Sequence, residues 1–158
     1  MTEQKNPDFL YNKNPHPRDK NIIFDEEPHI YTINGDPSFT SVTTWNHSHF
    51  RKFDGLKVVK KMRKGKGTKY YGMTDEAILK QWADSGNEAA LAGTKMHYDI
   101  ECFYNNIYNN NESIEFEYFK NFHKVNSQLI PYRTEWMIYA EDLKLAGSID
   151  MIFQNNNG

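Results

Sequence analysis

The hydrophobic pattern divides this chain into a strand-rich start, a helical middle and a strand-rich end. Three runs, Ile22-Ile23-Phe24, His29-Ile30-Tyr31-Thr32-Ile33 and Ser38-Phe39-Thr40-Ser41-Val42-Thr43, are rich in β-branched and aromatic residues. The second and third flank Asn34-Gly35, a pair that accepts the positive backbone angles of a tight turn, and so predict a β-hairpin. Before them, residues 1–20 are polar, contain Pro7, Pro15 and Pro17 and show no period. They read as a flexible N-terminal arm.

The middle changes to helical spacing. Thr44 or Asn46 is placed to cap a helix over 45–51, and Asp54 to cap another through Val58, Val59 and Met62. Thr74-Asp75-Glu76 caps and charges the start of a helix bearing Ile78, Leu79, Trp82 and Ala83, which Ser85-Gly86 is expected to break. A further helix then carries Met96, His97, Ile100, Glu101 and Phe103. Gly93 within it costs about 1 kcal/mol against alanine, which implies a neighbour that excludes a side chain there. A third helix, starting near Glu112 or Ser113, is expected to bury a stripe of Ile114, Tyr118, Phe119, Phe122, Val125 and Leu129 and to end before Pro131.

The end returns to strands, over 132–140 and 144–154, joined by Glu141-Asp142-Leu143 and followed by the turn-like Asn155-Asn156-Asn157-Gly158. An α+β fold follows: an N-terminal hairpin, several helices and an antiparallel strand pair. A two- or four-residue turn between the strands sets Glu135 opposite Asp150; a three-residue turn puts them on opposite faces. Like charges in the first arrangement are destabilising unless a cation lies between them. Asp150, flanked by Ile149 and Met151, is expected to need a partner against desolvation.

His97 and Glu101, four apart, stand on one helix face. With Asp150 and Glu135 they make a nitrogen and oxygen donor set of the kind that accepts Mg²⁺ or Mn²⁺. His16, His29, His47, His49 and His123 have no ligand spacing. The most basic stretch, 57–69, holds seven cations and no acid: Lys57, Lys60, Lys61, Arg63, Lys64, Lys66 and Lys69. It reads either as a solvated face running into a loop or as a patch that grips phosphates.

Composition narrows the class. The 158 residues are 38% hydrophobic, 25% charged and 15% aromatic, the proportions of a single globular domain. The net charge of −2 announces no nucleic-acid partner globally, so any basic surface must be local. The lone Cys102 forbids an internal disulfide, and the N-terminus has no charged-then-apolar leader. No apolar run approaches the roughly 20 residues that span a bilayer. An intracellular location, cytoplasmic or virus-encoded in a host cell, is expected.

Three pieces together resemble the PD-(D/E)XK nuclease superfamily, in the branch of phage lambda exonuclease, RecB-type nuclease domains and CRISPR-associated exonucleases. They are Gly93-Thr94-Lys95-Met96-His97 with Glu101, then Glu135, then Ala146-Gly147-Ser148-Ile149-Asp150. The openings His29-Ile30-Tyr31, Ser41-Val42-Thr43 and Phe53-Asp54 also look like viral and phage members, and the likeness spans 24–154. The resemblance implies a restriction-endonuclease-like mixed sheet, with 21–158 as the N-terminal part of one nuclease domain. It also implies a metal-dependent exonuclease acting on DNA ends in recombination, repair or defence. His97 and Asp150 would be metal ligands, with Glu101 and Glu135 as ligands or their supports, and Lys60, Lys61, Arg63, Lys64, Lys66 and Lys69 would contact DNA. The family's next motif, an acidic residue, any residue and then lysine on the following strand, is not found after Asp150. Its absence implies an inactive fragment, completed by a second copy or a C-terminal fragment. The other reading is a non-catalytic DNA-binding or protein-interaction module on the same scaffold.

Overall fold

The computed structural model describes residues 6–62 and 64–155. Arg63 and the turn-like 156–158 lie outside the described residues. The chain divides into two compact units, one of residues 1–49 with 96–158 and one of residues 50–95. Their compositions differ sharply. The second unit holds eleven lysines and arginines against five acids, a formal +6, and the first holds eight against sixteen, a formal −8.

In the first unit, helix α1 (Phe9–Lys13) and a short turn of 3₁₀ helix (Asp19–Asn21) precede strands β1 (Ile22–Asp25), β2 (Ile30–Ile33) and β3 (Asp36–Ser41). The predicted hairpin is present: β2 and β3 turn at Asn34 and Gly35, with φ of 51° and 84°, angles that this pair tolerates. Helix α2 (Val42–Ser48) follows directly, capped by Ser41, whose Oγ accepts from the Thr44 N–H at 3.1 Å. The cap lies earlier than Thr44 or Asn46 because Ser41 leaves the strand already extended, as a capping residue requires.

The second unit contains α3 (Gly55–Lys61), capped as expected by Asp54, which accepts from the Lys57 N–H at 2.9 Å. It also holds most of α4 (Asp75–Tyr104), which runs unbroken for 30 residues and whose last turns, 96–104, belong to the first unit. Thr74 caps it, accepting from the Ala77 N–H at 3.2 Å. Ser85-Gly86 does not break it, because the propensity cost of one glycine is less than that of opening several backbone hydrogen bonds. Nor does anything crowd Gly93: a Cβ there would meet no atom within 4 Å. The expected close approach at that position is absent. Among the described residues no helix is long and apolar enough to cross a membrane.

Helix α5 (Ile114–Val125) starts at Ser113, whose Oγ accepts from the Phe116 N–H, and ends well before Pro131. Its buried face is Phe116 and Phe119, which pack with Leu10 and Tyr104 and against Phe103 and Phe153. The stripe expected inside is largely outside, with Ile114, Tyr118, Phe122 and Val125 exposed. The reason is ring packing: Phe103 meets Phe116 and Phe119 edge to face, which turns the helix by about a third of a turn from the anticipated face.

Strands β4 (Ile130–Ala140) and β5 (Leu145–Gln154) form the antiparallel pair, and the mixed five-stranded sheet has the order β1-β2-β3-β5-β4. The fold is thus α+β. β5 runs parallel to β3 over only two pairs, Thr40 with Leu145 and Ser41 with Ala146. Residues 6–20, read from sequence as an arm, are bound into this unit. Leu10 is buried and donates its N–H to Asn105 Oδ1 at 2.8 Å. Asp19 and Arg133, 8% and 2% exposed, form an ion pair at 2.9 Å, and the Trp136 indole N–H donates to the same carboxylate. Burial raises the Asp19 pKa, but the Arg133 guanidinium, the His16 N–H and Trp136 together outweigh it and hold the carboxyl below its usual value.

Candidate metal centre

The turn between β4 and β5 takes four residues, 141–144, and this length fixes the register. Thr134 lies opposite Met151 and Trp136 opposite Ile149, so Glu135 and Asp150 face each other. The first of the two sequence alternatives is the one adopted. Between these two normal pairs Glu135 itself stands at φ 43°, in the left-handed region that a residue with a side chain enters at a cost of about 1–3 kcal/mol. Its Oε2 accepts from Ser148 Oγ at 3.0 Å. Ser148 shares a face with Asp150 because strand side chains alternate, and the hydroxyl thereby orients the carboxylate.

The last turns of α4 supply the other wall. Ile100 and Phe103 anchor this part of the helix against Leu10, Phe116 and Phe119, which presents His97 to β5. His97 Nδ1 stands 3.7 Å from Asp150 Oδ2, with the two side chains 60% and 68% exposed. Asp150 is therefore not a desolvated strand carboxylate. The face of β5 that bears Ser148 and Asp150 is open, whereas Ile149 and Met151 are part-buried.

One ligand atom from each of His97, Glu135 and Asp150 lies within 4.8 Å of the others. Around an octahedral Mg²⁺, neighbouring donors would be roughly 3 Å apart and opposite ones roughly 4.2 Å, so these three side chains would draw inward to share one ion. The chemistry fits as well: two facing carboxylates, oriented by a hydroxyl and an imidazole, match a hard divalent cation.

Glu101 lines the same cleft, of about 170 Å³, with His97, Ile100, Thr134, Glu135, Asp150 and Met151. It is not one of the three convergent donors. Burial first, and the neighbouring Glu135 charge second, push its pKa up to about 7. Near neutral pH it can hold or release a proton beside the donor set.

The residues expected to touch DNA lie in the second unit. Lys60, Lys61, Lys66 and Lys69 are exposed, whereas Lys64 is paired with Asp75 and so partly neutralised. Ser148 and Thr134 were not singled out from sequence. The signal for Ser148 was present in the two-residue period of β5; Thr134, which accepts from Asn105 Nδ2 at 2.9 Å, gave none. Comparison with protein-family models, with curated proteins and with solved structures returns no match to this chain.

Proposed function

We propose that this chain carries the metal centre of a Mg²⁺- or Mn²⁺-dependent deoxyribonuclease, of the kind that acts on DNA ends in recombination, repair or defence. The observation that carries the reading is the convergence of His97, Glu135 and Asp150 from a helix and two strands. The order of these residues also resembles that of viral and phage PD-(D/E)XK nucleases.

A divalent ion bound there would offset phosphate charge and make an attacking water more acidic. The chain's own groups have separate parts in this scheme. His97 and Asp150 would hold the ion, and Glu135, oriented by Ser148, would complete the donor set. Glu101 holds a proton at its carboxyl near pH 7. Exposed lysines of residues 57–69 attract the polyanion without reading its sequence. Beyond Ala146, β5 has a strand on one side only among the described residues. A further strand, from a second copy or a C-terminal fragment, would pair there.

Titration with Mn²⁺ tests the centre. One ion is expected to bind and to raise the melting temperature, and Asp150→Ala, at an exposed position, is expected to abolish both effects without lowering the melting temperature of the ion-free protein. An Asp150→Ala protein that binds Mn²⁺ as the unaltered one does would end the proposal. The +6 charge of the second unit favours a second reading, a DNA-binding module without catalysis. Binding to DNA that falls steeply with salt, together with no response to Mn²⁺, would select it.

A further inference from the structure

We infer that the second unit binds an unpaired nucleotide of single-stranded DNA in an open cleft lined by Phe53, Lys69, Gln81, Trp82 and Ser85. The base would stack on Phe53 and the adjoining phosphate would meet Lys69. Taking DNA as the polymer rests on the function proposed above; the cleft is independent of the metal centre.

Phe53 is 73% exposed, a large apolar ring standing in water within a unit of high positive charge. It is not isolated. A Cβ on Gly55 would stand 3.0 Å from Leu79 Cδ2, so the missing side chain lets α4 approach the start of α3, and the Phe53 ring lies at the same place, its Cε1 3.4 Å from that Cβ position. On its other side the Trp82 ring lies 6.1 Å away, tilted by 43°. Trp82 is held in turn by the hydrogen bond from its indole N–H to the Tyr70 hydroxyl at 2.8 Å. The two rings thus form one corner of a cleft of about 400 Å³.

Around these rings the polar groups suit a nucleotide. Gln81 and Ser85, one helical turn apart on α4, offer hydrogen-bonding groups to a base edge. Lys69, whose Nζ lies 5.4 Å from the Tyr70 ring centre, brings a cation to the same cleft, and Lys60, Lys61 and Lys66 are exposed in the same unit. Charge alone would hold duplex and single strand alike. In a duplex, however, each base is covered by its neighbours, so a protein ring finds a free face only on an unpaired base. The cleft therefore adds selectivity for unpaired ends to a grip that is otherwise indifferent.

The test is fluorescence anisotropy with a labelled thymidine dodecamer in EDTA, against a blunt duplex and an abasic strand of the same length. The unaltered protein is expected to bind the thymidine strand about tenfold more tightly than the abasic one. Phe53→Ala should bring thymidine binding down to the abasic level and leave duplex binding unchanged, whereas Phe53→Tyr should retain it. Equal binding of thymidine and abasic strands by the unaltered protein would overturn the inference even if Phe53→Ala failed to fold. An equal loss on single strand and duplex would also overturn it. Because no divalent ion is present, a failed Mn²⁺ titration and a failed cleft are read separately.

Discussion

The two units treat charge in opposite ways. The acidic unit brings three of its sixteen acids, Glu101, Glu135 and Asp150, to one open cleft, where Ser148 donates to Glu135 and His97 stands beside Asp150. The basic unit spreads its lysines over α3 and the loop after it, most of them in solvent, and places aromatic rings beside them. A net charge of −2 averages these and conceals both. A polyanion and a dication are drawn to opposite fields, and the two units carry formal charges of opposite sign.

The contrast extends to how charges are buried, and this gives the largest expected effect. Arg133→Ala leaves Asp19 inside the acidic unit without its cation, and should cost about 3–5 kcal/mol. Lys60→Gln and Lys61→Gln, at solvated sites of the basic unit, should each change stability by under about 0.5 kcal/mol. Urea denaturation with hydrogen exchange of the β4 amides measures both, and comparable costs would erase the distinction.

A smaller effect sharpens the picture of the acidic cleft. The folded chain keeps a proton on Glu101 up to about pH 7, whereas the unfolded chain loses it near 4.5. Between these values the unfolded state binds fewer protons, so in EDTA stability should fall as pH rises across that window. Glu101→Gln should flatten this part of the pH profile of the melting temperature; an unchanged profile would show that the carboxyl is not desolvated. The smallest effect concerns the backbone at Glu135. Glu135→Gly should be about 1 kcal/mol more stable than Glu135→Ala, because only glycine occupies φ 43° without strain. Equal stability would mean that the strand relaxes when the donor is removed.

Much of this was legible in the sequence where the determinants are local. Asn34-Gly35 and the Asp54, Thr74 and Ser113 caps each act within a few residues, whereas the length of the turn after β4, and with it the Glu135–Asp150 pairing, stays open until the structure gives four residues, 141–144. What was hidden depends on distant partners. Leu10 and Asp19 read as part of an arm because Asn105 and Arg133 lie 95 and 114 residues away. The buried face of α5 has no local signal because aromatic residues sit on both of its faces, and distant partners, Leu10, Phe103, Tyr104 and Phe153, decide between them. The left-handed Glu135 has no sequence signal, since a glutamate in a strand is ordinarily extended.

The docking of Asp19 onto Arg133 also sets when, during synthesis, the start of the chain can find its place. At roughly 5–20 residues per second, Asp19 emerges roughly 6–23 s before its guanidinium exists. During that interval Leu10 and the first hairpin have nothing of β4 to close upon, and the segment that later locks the sheet must wait beside the ribosome as solvated chain. Strands β4 and β5 are thus made after the segment that Arg133 and Trp136 draw into place.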